Sequence, residues 1–282
     1  KEVYFMKEQA RSTKYPTLVI DYVMISFVEA NVIEVGRYLF DYSIIEEFEL
    51  LESSIRGFNK VLTNGFLFLH YENKGEKAVV LLEIRSKGCR YLECQVDHQW
   101  TQFFFKLMKV GENISIKSYN IKRLDIAIDG FTSDTLSTKR VQRYLNQRLV
   151  TSRFRTCRTI QETRISSSDI IGDSIYFGKR ASDISVVVYD KKLETKTQDI
   201  WFRTELRFRH DWANRVIATL VENSSEFSSY ISSILKRNLQ FRSHTENYSE
   251  VRRRNLATWY ERYLEYICQQ ELHCGKMKFL AS

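Results

Sequence analysis

The 282-residue chain is 43% hydrophobic, 13% aromatic and 28% charged, with 10 glycines and a single proline, Pro16. Disordered, collagen-like and glycine- or proline-rich classes are excluded, and one large or two small domains with a sizeable core are expected. No apolar run reaches the roughly 20 residues that span a bilayer, and residues 1–16 lack the apolar stretch of a signal peptide, so a cytoplasmic protein without membrane insertion is expected.

In chain order, TLVIDYVMISFV (17–28) is rich in β-branched and aromatic residues and reads as a buried strand, followed by a helical pattern from Val32 to Phe40. The segment Glu29–Glu52 holds seven acidic residues and one basic residue, Arg37. Strand runs from Gly65 (GFLFLHYE) and Ala78 (AVVLLEIR) flank a hairpin turn at Asn73–Gly75. In HQWTQFFFKLMKVG, Trp100, Phe103, Phe104 and Leu107 recur at helical spacing as a core-facing stripe. The five cysteines (Cys89, Cys94, Cys157, Cys268, Cys274) form no CxxC pair and are odd in number, so free thiols are expected. Cys89 and Cys94 with His98 lack zinc-site spacing and fit a strand-turn-helix with half-buried thiols.

A second round begins at IKRLDIAIDGF (Ile121–Phe131), where Leu124, Ile126 and Ile128 alternate with Asp125, Ala127 and Asp129. Asp134 or Thr135 is expected to cap a helix running to about Val150, with Val141, Tyr144, Leu145 and Leu149 on its apolar face. Between Lys139 and Arg164 stand eight basic residues and one acid, Glu162; seven of the eight are Arg, whose planar fork holds phosphate at two points. A polyanion partner is the leading reading, against a merely solvated helix face. Strand runs then start at Ser174, Ile184 and Trp201, and from Asp211 the texture is helical, including one long helix over VRRRNLATWYERYLEYICQQE. The expected fold is α+β: a largely antiparallel sheet of two loosely repeated β-α-β-β units with a helical C-terminal appendix. The expected organisation is a flank at 1–16, a main domain at 17–210 and a helical region at 211–282.

No G-x-G-x-x-G, Walker, G-x-S-x-G or H-E-x-x-H motif occurs. Asp125 and Asp129 share one strand face, where bare carboxylates are costly to bury unless paired with cations or a metal; four strand steps put them roughly 13 Å apart. In WFRTELRFR, Glu205, Arg207 and Arg209 share one face. Pairing of that strand beside the Asp125 strand would create either an oxygen-rich Mg²⁺ or Mn²⁺ site or a carboxylate–arginine network. Tyr189 and Lys191 fall on one face of ISVVVYDK, and a nearby cation is the help a phenol needs to act as a nucleophile.

The ordered motifs RLDIAIDG (Arg123–Gly130), IYFGKRASD (Ile175–Asp183), YDKKLE (Tyr189–Glu194) and WFRTELRFR (Trp201–Arg209) resemble the Rep_trans-type replication initiation factor family, which includes rolling-circle plasmid initiators and relaxases of conjugative elements. The resemblance covers about Asp21–Arg209 and implies a metal-dependent DNA strand transferase. It implies that Tyr189 attacks the origin phosphodiester and stays joined to the 5′ end. It also implies that Asp125, Asp129 and Glu205 form the region of a Mg²⁺ or Mn²⁺ ion, and that Lys191 and Arg207 steady the phosphate. Lys179 and Arg180 would guide the single strand. Lys139, Arg140, Arg143, Arg148, Arg153 and Arg155, with Arg252–Arg254, would read origin DNA, a single-stranded or hairpin nick site with flanking duplex. A helicase or coupling protein and a homodimer are further implied partners. KGCRYLE, from Lys87, with the aromatic helix after it, resembles the conjugative branch more than the plasmid one. The competing readings are a non-catalytic DNA-binding protein and a metal-dependent nuclease that leaves no covalent link.

Overall fold

The computed structural model describes residues 16–52, 57–72, 78–95, 99–132, 135–244 and 249–272. The Asn73–Gly75 turn, His98, Asp134 and Cys274 lie outside them. In chain order, β1 (Thr17–Ala30) is followed by α1 (Val32–Leu39), α2 (Tyr42–Ile45), β2 (Glu49–Glu52), β3 (Lys60–Thr63), β4 (Leu67–Tyr71), β5 (Ala78–Ile84), α3 (Ser86–Glu93), α4 (Trp100–Met108) and α5 (Val110–Asn113). Next come β6 (Ser118–Gly130), α6 (Thr138–Asn146), β7 (Val150–Ser152), β8 (Cys157–Thr163), β9 (Ile170–Phe177), β10 (Ile184–Asp190), α7 (Lys191–Thr195) and β11 (Phe202–Phe208). The chain ends with α8 (His210–Glu222), α9 (Phe227–Asn238), β12 (Leu239–Phe241) and α10 (Thr258–Cys268). Ten strands form one largely antiparallel sheet in the order β2-β3-β4-β5-β1-β6-β11-β10-β9-β8, and β12 pairs with β7. The fold is the α+β class expected.

The chain divides into two compact units. The N-terminal unit comprises Ile20–Ile126 and Arg207–Ser224. Asn31 starts α1 by accepting the N–H groups of Ile33 and Glu34 at 2.9 and 3.2 Å, a side-chain cap that supplies two of the partners a helix start lacks. On α4, Trp100, Phe103, Phe104 and Leu107 are all buried, as their spacing requires, and Trp100 Nε1 donates to Glu93 at 2.8 Å. Cys89 is buried in α3 and Cys94 is half-buried; burial raises both thiols above their ordinary range. The C-terminal unit comprises the chain through Val19, Ala127–Leu206 and Ser225–Leu272. There α9 and α10 are joined by the Ser232 hydroxyl donating to Leu264 O at 3.0 Å. Tyr144, Phe241, Trp259 and Tyr260 form an aromatic cluster with ring centroids 5.1–5.6 Å apart.

Several elements differ from the sequence expectations. Residues 153–164, beyond the helix end expected at about Val150, contain strand β8, and the acidic stretch ends in strand β2. Neither has a buried face (β2 is exposed throughout), so no hydrophobic alternation marks them. Helix α6 starts later than expected, because Ser137 rather than Asp134 or Thr135 caps it, accepting from Arg140 N at 3.3 Å. The C-terminal stretch is not one long helix: Val251–Arg253 is a single 3₁₀ turn and only Thr258–Cys268 is α-helical. The helices after residue 210 are shared between the units, α8 in one and α9 and α10 in the other. Among the described residues, no helix is long and apolar enough to cross a membrane.

Gly130 ends β6 where the chain must pass Thr135. A Cβ at Gly130 would lie 1.8 Å from Thr135 Oγ1 and 2.5 Å from its Cβ, closer than any real contact allows. Gly130→Ala is therefore expected to destabilise the C-terminal unit by about 1–3 kcal/mol, the usual cost of overpacking, measured as a fall in Tm and in the urea midpoint.

Candidate active site

Strand β10 runs buried through Ser185–Val188 and surfaces at Tyr189, which is half-buried. The Tyr189 hydroxyl donates to Glu205 Oε1 at 2.6 Å, and Glu205 is only 4% exposed on β11. Such a short bond is the form that a phenol takes against a carboxylate. The strand ends one residue later, because the Asp190 side chain accepts the Lys192 N–H at 3.1 Å and opens α7. Lys191 is thus the first residue of a helix, not the strand residue expected from alternation. Its Nζ still lies 5.8 Å from the Tyr189 ring centroid and 6.0 Å from that of Trp201, and it pairs with Glu194 at 2.9 Å. Burial raises the Asp190 carboxyl above its ordinary range, and the Asp173 charge adds to the effect.

Asp129, on β6 in the same unit, is held by a fork: Arg203 Nε and Nη2 donate to its two oxygens at 2.6 and 2.7 Å, and Trp201 Nε1 donates at 2.8 Å. Arg203 is 1% exposed, so this is a fully buried, bidentate pair. Asp125, in the N-terminal unit, accepts from Arg123 Nε at 2.8 and 3.1 Å and from Arg123 Nη2, with Arg207 Nε 3.6 Å away. Guanidinium groups therefore face both aspartates, and no group of three or more His, Cys, Asp or Glu among the described residues is arranged to hold a metal ion. The divalent ion that the resemblance implies does not fit this donor set. Arg203 and Trp201 escaped the sequence reading, although both share the parity of Glu205 along WFRTELRFR and would have been found by extending the alternation backwards.

A second buried carboxylate cluster occupies the N-terminal unit. Glu83 accepts from the Tyr22 hydroxyl and from Arg85 Nη2 at 3.0 Å, with His70 Nε2 3.5 Å away, and Arg123 lies 4.4 Å over the Tyr22 ring. Burial opposes ionisation of Glu83, but hydrogen bonds from His70, Arg85 and Tyr22 outweigh it and hold the carboxyl well below the usual range.

The basic residues divide by environment. Lys139 and Arg143 are exposed on α6, Arg153 and Arg155 are exposed between β7 and β8, and Lys179 and Arg180 are exposed after β9. Arg148 is exposed just after α6 with a left-handed φ of 56°. Arg140 is half-buried: it donates to Thr135 O at 2.9 Å and lies 4.6 Å over the Trp259 ring, tying α6 to α10.

Residues 119–274, more than half of the chain, match the replication initiation factor family (Rep_trans). The chain belongs to that family. Residues 17–109 match the rolling circle replication initiation protein N-terminal domain. A Bacillus subtilis (strain 168) protein named "Putative DNA relaxase NicK" is 25% identical over 236 residues, covering 78% of this chain; the chain spans 63% of that relative's length. The solved rolling circle replication initiator protein from Geobacillus stearothermophilus shares the fold, with a TM-score of 0.79 at 23% identity over 92% of this chain and 98% of that one.

The depressed Glu83 carboxyl has a defined pH signature. Its folded-state pKa lies below the unfolded value of about 4.3, so its contribution is complete above that pH and is lost as pH falls towards the folded value. Glu83→Gln is expected to lower Tm at pH 7, and the gap to wild type should shrink steadily as the pH drops below about 4. A gap independent of pH would assign the loss to packing.

Proposed function

We propose that the protein nicks and rejoins one strand of origin DNA through a covalent phosphotyrosine at Tyr189, acting as the relaxase of a conjugative element. The observation that carries this reading is the Tyr189 hydroxyl bonded to buried Glu205 at 2.6 Å in a chain of the replication initiation factor family. A phenol is a weak nucleophile until a base removes its proton. Glu205 Oε1 takes that proton as Tyr189 Oη forms a bond to phosphorus; the bond from phosphorus to the 3′ oxygen breaks, and that oxygen leaves with the electron pair and gains a proton as a 3′ hydroxyl. Reversal by a 3′ hydroxyl rejoins the strand and returns the proton to Tyr189. Lys191, beside the Tyr189 ring, offsets negative charge on the phenolate and phosphate. No step here passes through a divalent ion, because Asp125 and Asp129 face arginines. The exposed Lys139, Arg143, Arg148, Arg153, Arg155, Lys179 and Arg180 would hold the DNA backbone.

A second reading, initiator of plasmid rolling-circle replication with the same chemistry, is favoured by the likeness to the Geobacillus stearothermophilus initiator over nearly the whole chain. The two differ in the element served, and deletion of the gene separates them: loss of transfer in mating supports the relaxase, loss of plasmid copies the initiator.

The chemistry is tested with labelled single strands tiled across the element's origin, incubated with Mn²⁺ and resolved on denaturing gels. Wild type is expected to give a protein-linked label and Tyr189→Phe none. Glu205→Gln should slow linkage by about 10²–10⁴-fold. Cleavage without linkage would establish a nuclease, and binding without cleavage a non-catalytic DNA-binding protein.

A further inference from the structure

Helix α6 and the β8–β9 hairpin enclose a cleft of about 460 Å³, within the size range of ligand pockets, and it lies wholly in the C-terminal unit. Its helical wall follows from spacing: Thr138, Gln142 and Asn146 fall at successive steps of four on one face of α6, with Lys139 and Arg143 beside them. Its other wall follows from register. Thr159 pairs with Ile175 and Gln161 with Asp173, so two-residue alternation turns all four side chains to one side of the hairpin.

We propose that this cleft reads an unstacked base of single-stranded DNA, one carrying an exocyclic amino group, while Lys139 and Arg143 hold the adjoining phosphate. The proposal rests on the nucleic-acid reading above and names a base-specific subsite apart from Tyr189. Ile175 is 1% exposed and gives the cleft an apolar floor against which a base can lie. Asp173 uses one carboxylate oxygen to accept from the buried Thr138 hydroxyl, and its second oxygen is available as an acceptor. A carboxylate repels phosphate and accepts from an amino group, so it selects for the base rather than the backbone. The amide orientations are fixed by a relay: Thr159 Oγ1 donates to Gln142 Oε1 at 3.1 Å, and Gln142 Nε2 donates to Asn146 Oδ1 at 2.9 Å. Asn146 therefore presents its Nδ2 donor group. A carboxylate acceptor and an amide donor in one cleft suit the donor-beside-acceptor edges of cytosine and adenine; thymine has no amino group. The cations stand on the exposed side of α6, where a phosphate remains in water.

The test uses the full chain carrying Tyr189→Phe, which cannot form the covalent link, and fluorescence anisotropy with oligo(dC), oligo(dA) and oligo(dT) of about 12 nucleotides, equal in phosphate count. Oligo(dC) and oligo(dA) are expected to bind at least about fivefold more tightly than oligo(dT). Asp173→Asn, which keeps an acceptor for the Thr138 hydroxyl and puts an amide donor where the second carboxylate oxygen stood, should bring that ratio close to one. Lys139→Ala and Arg143→Ala should weaken all three oligonucleotides alike and lower the salt slope by about one each. Equal affinity for the three, or a preference that survives Asp173→Asn, overturns the assignment. The two readings fail separately. Base preference without a Tyr189-linked product from wild type overturns the transferase reading alone, linkage without base preference overturns the cleft assignment alone, and no binding to any oligonucleotide overturns both.

Discussion

A carboxylate taken out of water must find a cation, a hydrogen-bond donor or a proton, and Glu83, Asp125, Asp129 and Glu205 lie on strands of the sheet, each no more than 4% exposed. How each is satisfied decides what it can do. Asp129 receives the Arg203 fork and the Trp201 indole, and Asp125 receives Arg123 with Arg207 nearby. Charge compensation of that kind fixes strands against one another. Glu205 receives the hydroxyl of Tyr189, and the proposed chemistry draws on that bond.

The two halves of the chain solve the same problem with related parts. Strand β5 carries Glu83 and leads through Arg85 into α3; β11 carries Glu205 and Arg207 and leads towards α8. In each half the glutamate accepts from a tyrosine hydroxyl, Tyr22 in one and Tyr189 in the other. The environments differ. Glu83 also has Arg85 and His70 on its carboxylate, and its proton affinity is pushed down, which makes it a poor proton acceptor. The echo of a β-α-β-β unit thus extends from topology to a shared Glu-x-Arg motif, with the N-terminal copy suited to holding strands together.

How far this was legible in the sequence depended on burial. Strands β6, β10 and β11 were legible as strands, although each is buried on both faces over its middle, and the α4 stripe of Trp100, Phe103, Phe104 and Leu107 is buried as read. Strands β2 and β8 have no buried face, and their charge runs resembled loops. The importance of Asp125 and Asp129 was visible as two acids on one strand, but their partners were not: Arg203 lies 74 residues from Asp129, and only strand pairing brings it there. Asp190 shows the limit of period counting, since its cap ends the strand before Lys191 and moves that cation from a strand face to a helix start.

The proposed chemistry and the proposed DNA contacts sit on elements of different stiffness. Tyr189 and Glu205 are on β10 and β11, adjacent strands of the sheet, where flanking residues are buried and neither side chain can drift far from the other. Proton transfer needs such constancy, because a displacement of about 1 Å from productive geometry can cost on the order of 10²-fold in rate. The exposed cations lie on the outer face of α6, in the β7–β8 connection and after β9, where side chains keep their water and can follow a backbone of variable shape. Arg140 marks the boundary between the two regimes: its guanidinium is committed to Thr135 and Trp259, so it anchors α6 while Lys139 and Arg143 on the same helix remain at the surface. One basic run in the sequence therefore serves two physical purposes, and burial rather than charge tells them apart.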